Sequence, residues 1–434
     1  MTPRRFEASA IGSEYELLQI IEHSSDISRV DKSCFIGSRL NFLSALPSLA
    51  AGVLTTWIMG STTAHADAYD TLNVTVDQGF RRESNLFRTP TPRPETLSST
   101  ALGLSLDKSY SLQRFKLDAS YSKQDFHTYD YLSYGALNYD AKWLWSFTPR
   151  FHGTLSSDRL RELNSFTDVS NPFARNLRTS RNNIADAEWE VTPALRLLGR
   201  VSDARRTNDL PVAQEGDSTQ QSTSLGLRYV TKAGSSLTYR MREGKGEYFN
   251  RVQTPTLLYP TRFDDREHIV ALFWPVTSKV DFSAQISHQE RRHPNLAQRD
   301  YSDTGGTLGL KWRVSAKVDL ALSLSRDVTP YQTNFSNFTT LTRFIIAPAW
   351  RISEKTSLKL RIQQFNQTYG GVPPGIPSVL NRDDDNRDIA LVLDWNPYQP
   401  IYLSLTLQNQ RRSSTVPGLE FKNNIAGVAA RVNF

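Results

Sequence analysis

Trp312-Arg313-Val314-Ser315-Ala316-Lys317-Val318-Asp319-Leu320 is the stretch that decides the fold of this chain. It has the composition of one strand end, a tight turn and the start of the next strand. Close variants recur roughly every 40 residues, beginning at Trp145, Trp189, Tyr229, Trp274, Trp350 and Trp395. Recurrence at this spacing predicts a chain built from repeated β-hairpins.

The segments between these turns alternate apolar and polar residues, which is the period of a strand with one buried face. We count about eighteen such strands, or about sixteen if the two weakest patterns are set aside. Their connections alternate between short turns, the first expected at residues 107–109, and long polar loops, such as residues 366–387. This alternation predicts an all-β, antiparallel transmembrane barrel with short periplasmic turns and long extracellular loops.

The aromatic residues favour a barrel in lipid over a soluble β-sandwich, which also buries one face of each strand. Leu308, Leu310 and Trp312 share a face, and the Trp ends that face at the short-turn side. A sandwich has no need of an aromatic residue at the same end of many strands, whereas a barrel places such residues at the membrane interface. The predicted periplasmic girdle is Trp145, Trp189, Tyr229, Trp274, Trp312, Trp350 and Trp395.

The last strand alternates up to Phe434, an aromatic residue at the chain terminus. This ending resembles the C-terminal signal by which the barrel assembly machinery recognises outer-membrane proteins. The expected partners are therefore that machinery and outer-membrane lipid. A closed barrel is also required physically, because backbone amides in lipid must all be paired.

The N-terminal region predicts export. Arg39 precedes an apolar run that ends in Ala64-His65-Ala66, the small-x-small pattern of a signal-peptide cleavage site. We assign residues 1–38 to an N-terminal extension from an early start codon, 39–66 to a signal peptide and 67–434 to the barrel. The sole cysteine, Cys34, precedes the cleavage site, so the exported part has no thiol chemistry. The expected location is the outer membrane of a Gram-negative bacterium.

The composition and the absence of known motifs argue against several classes of function. The chain of 434 residues has a formal net charge of +7, but its basic residues are scattered and form no patch for nucleic acid. No nucleophile motif, phosphate loop or metal-ligand spacing is present, so we expect neither an enzyme nor a cofactor. The weak exception is Asp383 and Asp385, oxygen ligands that suit Ca²⁺. The run lacks the fixed spacing of a known calcium loop, and a solvated acidic loop tip is the favoured explanation.

The face of the strands opposite the apolar one carries many charged residues. A barrel of 16 to 18 strands is wide enough for an aqueous channel. Cations on its inner face would favour anionic sugars or phosphates. The predicted pore-lining cations are Arg196, Arg200, Arg228, Arg240, Arg242, Lys311, Arg313, Lys359 and Arg361.

A short segment near the start of the barrel carries a family resemblance. Glu83-Ser84-Asn85-Leu86-Phe87-Arg88 follows the first strand and resembles the Asp-x-Asn-Leu-Phe-Arg segment of the exosortase-associated exopolysaccharide barrels, the EpsL-like proteins. Glu83 stands where that family has Asp. The resemblance implies an outer-membrane channel or export component for an anionic or neutral extracellular polysaccharide. Two alternatives stay open from the residues: a general or solute-specific porin, and a structural barrel that scaffolds surface partners.

Overall fold

The computed structural model describes residues 72–167, 173–251, 260–330, 336–371 and 382–434. The extension, the signal peptide and Cys34 lie outside the described residues. The eighteen strands, numbered in chain order, are β1 Leu72–Glu83, β2 Glu95–Tyr110, β3 Gln113–Phe126, β4 Tyr134–Thr148, β5 Phe151–Leu163, β6 Leu177–Thr192, β7 Leu195–Asn208, β8 Ser218–Val230, β9 Ser236–Glu247, β10 Arg262–Thr277, β11 Val280–Arg292, β12 Tyr301–Arg313, β13 Val318–Pro330, β14 Phe338–Arg351, β15 Thr356–Gly370, β16 Asp383–Tyr398, β17 Ile401–Ser414 and β18 Phe421–Asn433.

The strands form one closed barrel. Each strand pairs antiparallel with its neighbours in sequence, and β1 closes the ring by pairing with β18 from Thr75↔Asn433 to Glu83↔Ile425. Closure leaves no strand edge unpaired, as a wall surrounded by lipid requires. The predicted all-β barrel of about eighteen strands is confirmed. Among the described residues, no helix is long and apolar enough to cross a membrane.

The register separates the residues of each strand into two faces. Leu322 lies between Leu310 of β12 and Ile346 of β14, so these three apolar side chains share the outer face. Asp281 pairs with Lys311 across β11 and β12, and this charged pair shares the inner face. Side chains alternate across a pleated strand, so one sequence supplies both the lipid-facing wall and the lining of the lumen.

The two ends of the barrel differ as the sequence predicted. All connections from an even-numbered strand to the next are short, and all connections from an odd-numbered strand are long. Phe434 bonds to Val74 through both backbone groups, which places both chain ends of the barrel at the short-turn end. We assign this end to the periplasm.

Two predicted connections were wrong. Residues 107–109 are not a turn: β2 continues to Tyr110, because Asp107 is held by Arg114 at 2.7 Å across the ladder to β3. The turn lies at Ser111–Leu112, where Ser111 has a φ of 54°. The expected loop 366–387 is also shorter, since β15 runs to Gly370 and β16 begins at Asp383.

The predicted aromatic girdle forms a band on the outer face. Its seven members lie on even-numbered strands next to the short turns and share the outer face with neighbours such as Leu197 and Leu358. A second aromatic ring, which the sequence reasoning missed, lies on the same face towards the long loops. Its members are Phe80, Tyr121, Tyr139 and Phe344. Two girdles mark the two interfaces of the apolar belt.

The alternation of faces predicts opposite outcomes for adjacent residues of β13. Leu322→Arg places a charge in the middle of the lipid-facing belt and should cost about 2–4 kcal/mol of the free energy of unfolding in lipid vesicles. Ser323→Arg faces the lumen and should cost far less. Denaturant unfolding of both variants in the same vesicles checks this. Equal losses for the two variants would contradict the assignment of faces.

Candidate functional site

The lumen is the candidate functional site, and all nine predicted cations face it. Arg196 lies opposite Arg228 and Arg200 opposite Ser224 on β7 and β8, on the face away from the girdle residue Trp189. The other six occupy inward positions of β9, β12 and β15 by the same register. The register thus brings the nine cations to one face of the strands, and their role in a pore stays a prediction.

Most of these cations are not free, because carboxylates on neighbouring strands bind them. Glu188 of β6 is the clearest case: one carboxylate holds Arg196 at 2.8 Å and Arg228 at 2.9 Å. Arg228 also donates from Nε to the Thr238 hydroxyl at 3.2 Å. Glu188 and Arg228 are each 8% exposed. This group of one carboxylate and two guanidinium groups keeps a net positive charge.

Five further members of the set each bind a carboxylate on a neighbouring strand. Arg242 binds Glu267 at 2.8 Å, and Lys359 binds Asp394 at 2.9 Å. The looser pairs are Arg200–Asp186 at 3.7 Å, Arg313–Asp281 at 3.6 Å and Arg361–Asp388 at 3.5 Å. Pairing across strands neutralises much of the positive field that the unpaired set would produce.

The sequence reasoning missed an acidic row on another part of the inner wall. Asp118, Asp140 and Asp158 lie directly opposite one another on β3, β4 and β5. Asp140 binds Lys142 at 3.1 Å, and Asp118 accepts a hydrogen bond from Ser105. The signal was present, because all three stand at inward positions of the alternating pattern. The lumen thus has a row of carboxylates on β3–β5, next to the facing residues Lys116 and Lys142, and a more basic wall on β7–β9.

Apolar residues fill part of the lumen at the long-loop end. We name this cluster the mouth core; its buried members are Leu86, Phe87, Leu97, Phe126, Leu132 and Phe166. Phe87, from the β1–β2 loop, is fully buried, and its ring contacts those of Tyr129, Phe166 and Phe173 at 4.8–4.9 Å between centroids. Since Leu97 and Phe126 point inward from β2 and β3, the β1–β2 loop folds over the lumen.

Buried polar contacts hold this loop in place. The Asn85 backbone N–H donates to the Asn423 side-chain oxygen at 2.9 Å, and the Asn423 amide donates to Glu83 at 3.0 Å. Glu83 also binds Arg81 at 3.0 Å and Arg88 at 3.6 Å. The segment that carries the family resemblance therefore joins β1 to β18 and holds the β1–β2 loop in position. These contacts account for its residue types without any bound cargo.

A second buried cluster lies on β8–β11 at the same end. Asp265 and Arg291 form a bidentate ion pair with both bonds at 2.6 Å. The Arg291 guanidinium lies 3.9 Å from the Phe263 ring centroid, a cation–π contact. Gln220 donates to Asp265 at 3.0 Å. The buried Asp265–Arg291 pair thereby links β8, β10 and β11.

His293, in the β11–β12 loop, is buried beside this cluster. Burial, and next the charge of Arg291, lower the pKa of His293 to about 4. Its backbone N–H donates to Asp300 at 2.7 Å, which orders the loop. An unfolded histidine takes up a proton below about pH 6.5, while the folded one stays neutral to about pH 4. This loop therefore loses stability as pH falls from about 6.5 to 4.

The acidic run at the start of β16 is not a solvated loop tip. Asp384 is fully buried, accepts a hydrogen bond from Ser414 at 2.6 Å and is ion-paired with Arg382 and Arg412. Asp383 and Asp385 point to the other face, where the Asn366 amide donates to both. Strand alternation separates the three carboxylates. Across the described segments, no group of three or more His, Cys, Asp or Glu residues is placed to hold a metal ion.

Comparison with known proteins supports the fold. No family model and no curated protein sequence matches the chain. A BenF-like porin from Pseudomonas fluorescens Pf-5 superposes with a TM-score of 0.50 at 9% identity, covering 84% of this chain and 98% of that one. Pseudomonas aeruginosa OccK2 (OpdF), solved in complex with glucuronate, gives 0.48 at 11% identity over 84% of this chain and 98% of its own.

Likeness at such low identity concerns the fold alone. Together with the closed ring of eighteen strands and the two aromatic girdles, it establishes an outer-membrane β-barrel with a porin-like architecture. The protein is accordingly located in the Gram-negative outer membrane.

The packing of the mouth core predicts that Phe87 protects the β1–β2 loop from proteolysis. Phe87→Ala should cost about 3–5 kcal/mol of local stability, because it leaves a cavity among three aromatic rings. Trypsin cleavage after Arg88 should then be at least about a hundredfold faster. The matched control is Phe80→Ala on β1, where the ring is 49% exposed on the outer face. An unchanged cleavage rate in the Phe87 variant would contradict the packing described.

Proposed function

We propose that the protein is a passive channel for polar solutes across the outer membrane. The observation that carries the proposal is the inner face, which is lined by charged and polar side chains through the apolar belt from Asp281 and Lys311 to Gln363 and Asp388. A barrel of 16 to 18 strands leaves an aqueous channel of this kind.

The wall would act on solutes through its fixed charges. The Glu188 group keeps one uncompensated positive charge on β6–β8, whereas Asp118, Asp140 and Asp158 present carboxylates on β3–β5. Charges of opposite sign on different parts of the wall orient a dipolar solute as it passes. Ion pairing keeps the overall preference for anions weak. Small polar solutes, with mild favour for anionic ones, are the proposed substrates.

Polysaccharide export is the second candidate, and its support is the resemblance of residues 83–88. In the structure Glu83, Asn85 and Phe87 of that segment are occupied in joining β1 to β18 and in filling the mouth core. The segment thus has a structural role whichever cargo the barrel carries. A structural scaffold for surface partners is the third candidate, and it requires a lumen that does not conduct.

Two opposite substitutions in the Glu188 group test the selectivity. Arg228→Gln leaves a neutral one-to-one pair, so the reversal potential in a salt gradient across a planar bilayer should shift towards cations. Glu188→Gln leaves two unpaired arginines and should shift it towards anions. Arg181→Gln is the control, because Arg181 faces outward on the same strand as Glu188 and should leave the potential unchanged.

Conductance also separates the three candidates. A solute channel conducts in bilayers, and its gene can be deleted without lowering secreted polysaccharide. Loss of secretion with intact outer-membrane permeability would favour export. A folded, heat-modifiable barrel with no conductance would overturn the channel proposal and favour the scaffold.

A further inference from the structure

The outer face carries two rows of like charge just beyond the apolar belt. Arg159, Arg181 and Arg205 lie directly opposite one another on β5, β6 and β7, and form the first cationic row. The second cationic row is made by Arg387, Arg411 and Lys422 on β16, β17 and β18. Five of the six side chains are exposed, and Arg159 is half-buried.

Such rows are unfavourable by themselves. Side chains directly opposite on adjacent strands have Cβ atoms roughly 5 Å apart, and like charges at that distance repel. Within the described part of the chain, no carboxylate forms an ion pair with any of the six. Arg159 donates to the Leu137 carbonyl at 3.1 Å, and Arg205 lies 5.1 Å from the Phe249 ring. Neither contact neutralises a charge.

Other cations on the same outer band are neutralised. Arg266 binds Glu243 at 2.9 Å, and Arg326 binds Asp303 at 2.9 Å. Lys123 similarly binds Asp125 at 2.9 Å. The protein therefore places carboxylates beside outward cations elsewhere and leaves these two rows without them. Asp203 and Asp385, the outward-facing acids nearest to the rows along β7 and β16, accept hydrogen bonds from Gln221 and Asn366 instead.

The rows also stand at a defined depth. The last apolar outward residues below the first row are Leu155, Ala185 and Val201, four residues away along their strands. Below the second row Ile389 is two residues away, and Leu407 is four. In a tilted strand this is roughly 5 to 10 Å beyond the hydrocarbon, which is the layer of lipid head groups.

We propose that each cationic row is a binding site for the phosphate groups of an anionic glycolipid in the outer leaflet. Guanidinium groups bind phosphate oxygens through paired N–H donors, and a row of three can hold a phosphate between neighbouring strands. Neutralisation by the lipid removes the repulsion within the row. The two sites lie on separate parts of the wall, so two lipids bind independently of the lumen and of any transport.

The test counts bound lipids on the full barrel. Native mass spectrometry of the detergent-solubilised protein with added lipopolysaccharide should show two tightly bound glycolipids. Arg181→Gln with Arg205→Gln should leave one, as should Arg387→Gln with Arg411→Gln, and all four together none. The affinity at an altered site should fall roughly twenty-five-fold, since each basic residue near an anionic surface contributes about fivefold.

The control removes the same charge from paired positions. Arg266→Gln with Arg326→Gln lies on the same face and should keep both lipids. Heat-modifiable gel mobility confirms that every variant is folded. Equal loss in the control would show a response to net charge alone and overturn the proposal. The proposal would also be overturned if the wild-type barrel bound dephosphorylated lipopolysaccharide as tightly as intact lipopolysaccharide. That comparison requires no variant.

Inorganic phosphate distinguishes the source of the anion. If the rows are lipid sites, phosphate at the lipid's concentration should leave both glycolipids bound, because it lacks the acyl chains that contact Leu155 and Leu407 below the rows. Complete displacement would assign the rows to a soluble anion and contradict the lipid proposal.

Discussion

Complete pairing of the backbone in lipid is the constraint on which the rest of this structure depends. An unpaired amide in the hydrocarbon layer costs several kcal/mol, so the eighteen strands must close and β1 must find β18. Closure fixes the register, and the register fixes which side chains face lipid and which face the lumen. The charged lining is thus a consequence of the same alternation that builds the apolar wall.

The mouth core is tied to that closure. Asn85 and Glu83 contact Asn423 of β18, while Phe87 of the same loop packs into the aromatic cluster over β2 and β3. One short loop therefore joins the first and last strands and covers part of the lumen. Ion pairs line the lumen below it. Most of the inward cations meet carboxylates of the barrel, as Arg266 and Arg326 do on the outer face, whereas the two cationic rows are the proposed sites for lipid head groups.

The fold could be predicted from sequence because its signals are local and repeated. The Trp-associated turns, the period-two alternation and Phe434 each need only neighbouring residues to be recognised. The predictions failed where contacts between strands set the end of a strand. Asp107 extends β2 by binding Arg114, and Asp384 belongs to β16 because it contacts Arg412 and Ser414 of the neighbouring strand.

The lumen was predictable only in part for the same reason. The inward position of Arg228 follows from alternation, but its sharing of Glu188 with Arg196 depends on register across three strands. The mouth core escaped prediction altogether, since it joins loops far apart in sequence. No local sequence pattern in this chain identifies the transported molecule, because structural contacts account for the residue types of the segment 83–88 that carries the family resemblance.

The most direct test of the account is a cross-link between the first and last strands. Gln78 lies opposite Ala430, within disulfide reach, and the only native cysteine can be removed as Cys34→Ser. Gln78→Cys with Ala430→Cys should oxidise to a disulfide in the folded protein and change the mobility of the unfolded chain until reduction. Gln78→Cys with Ala426→Cys, displaced by roughly 13 Å along β18, should not. A disulfide in the displaced pair, or none in the aligned pair, would contradict the closed barrel.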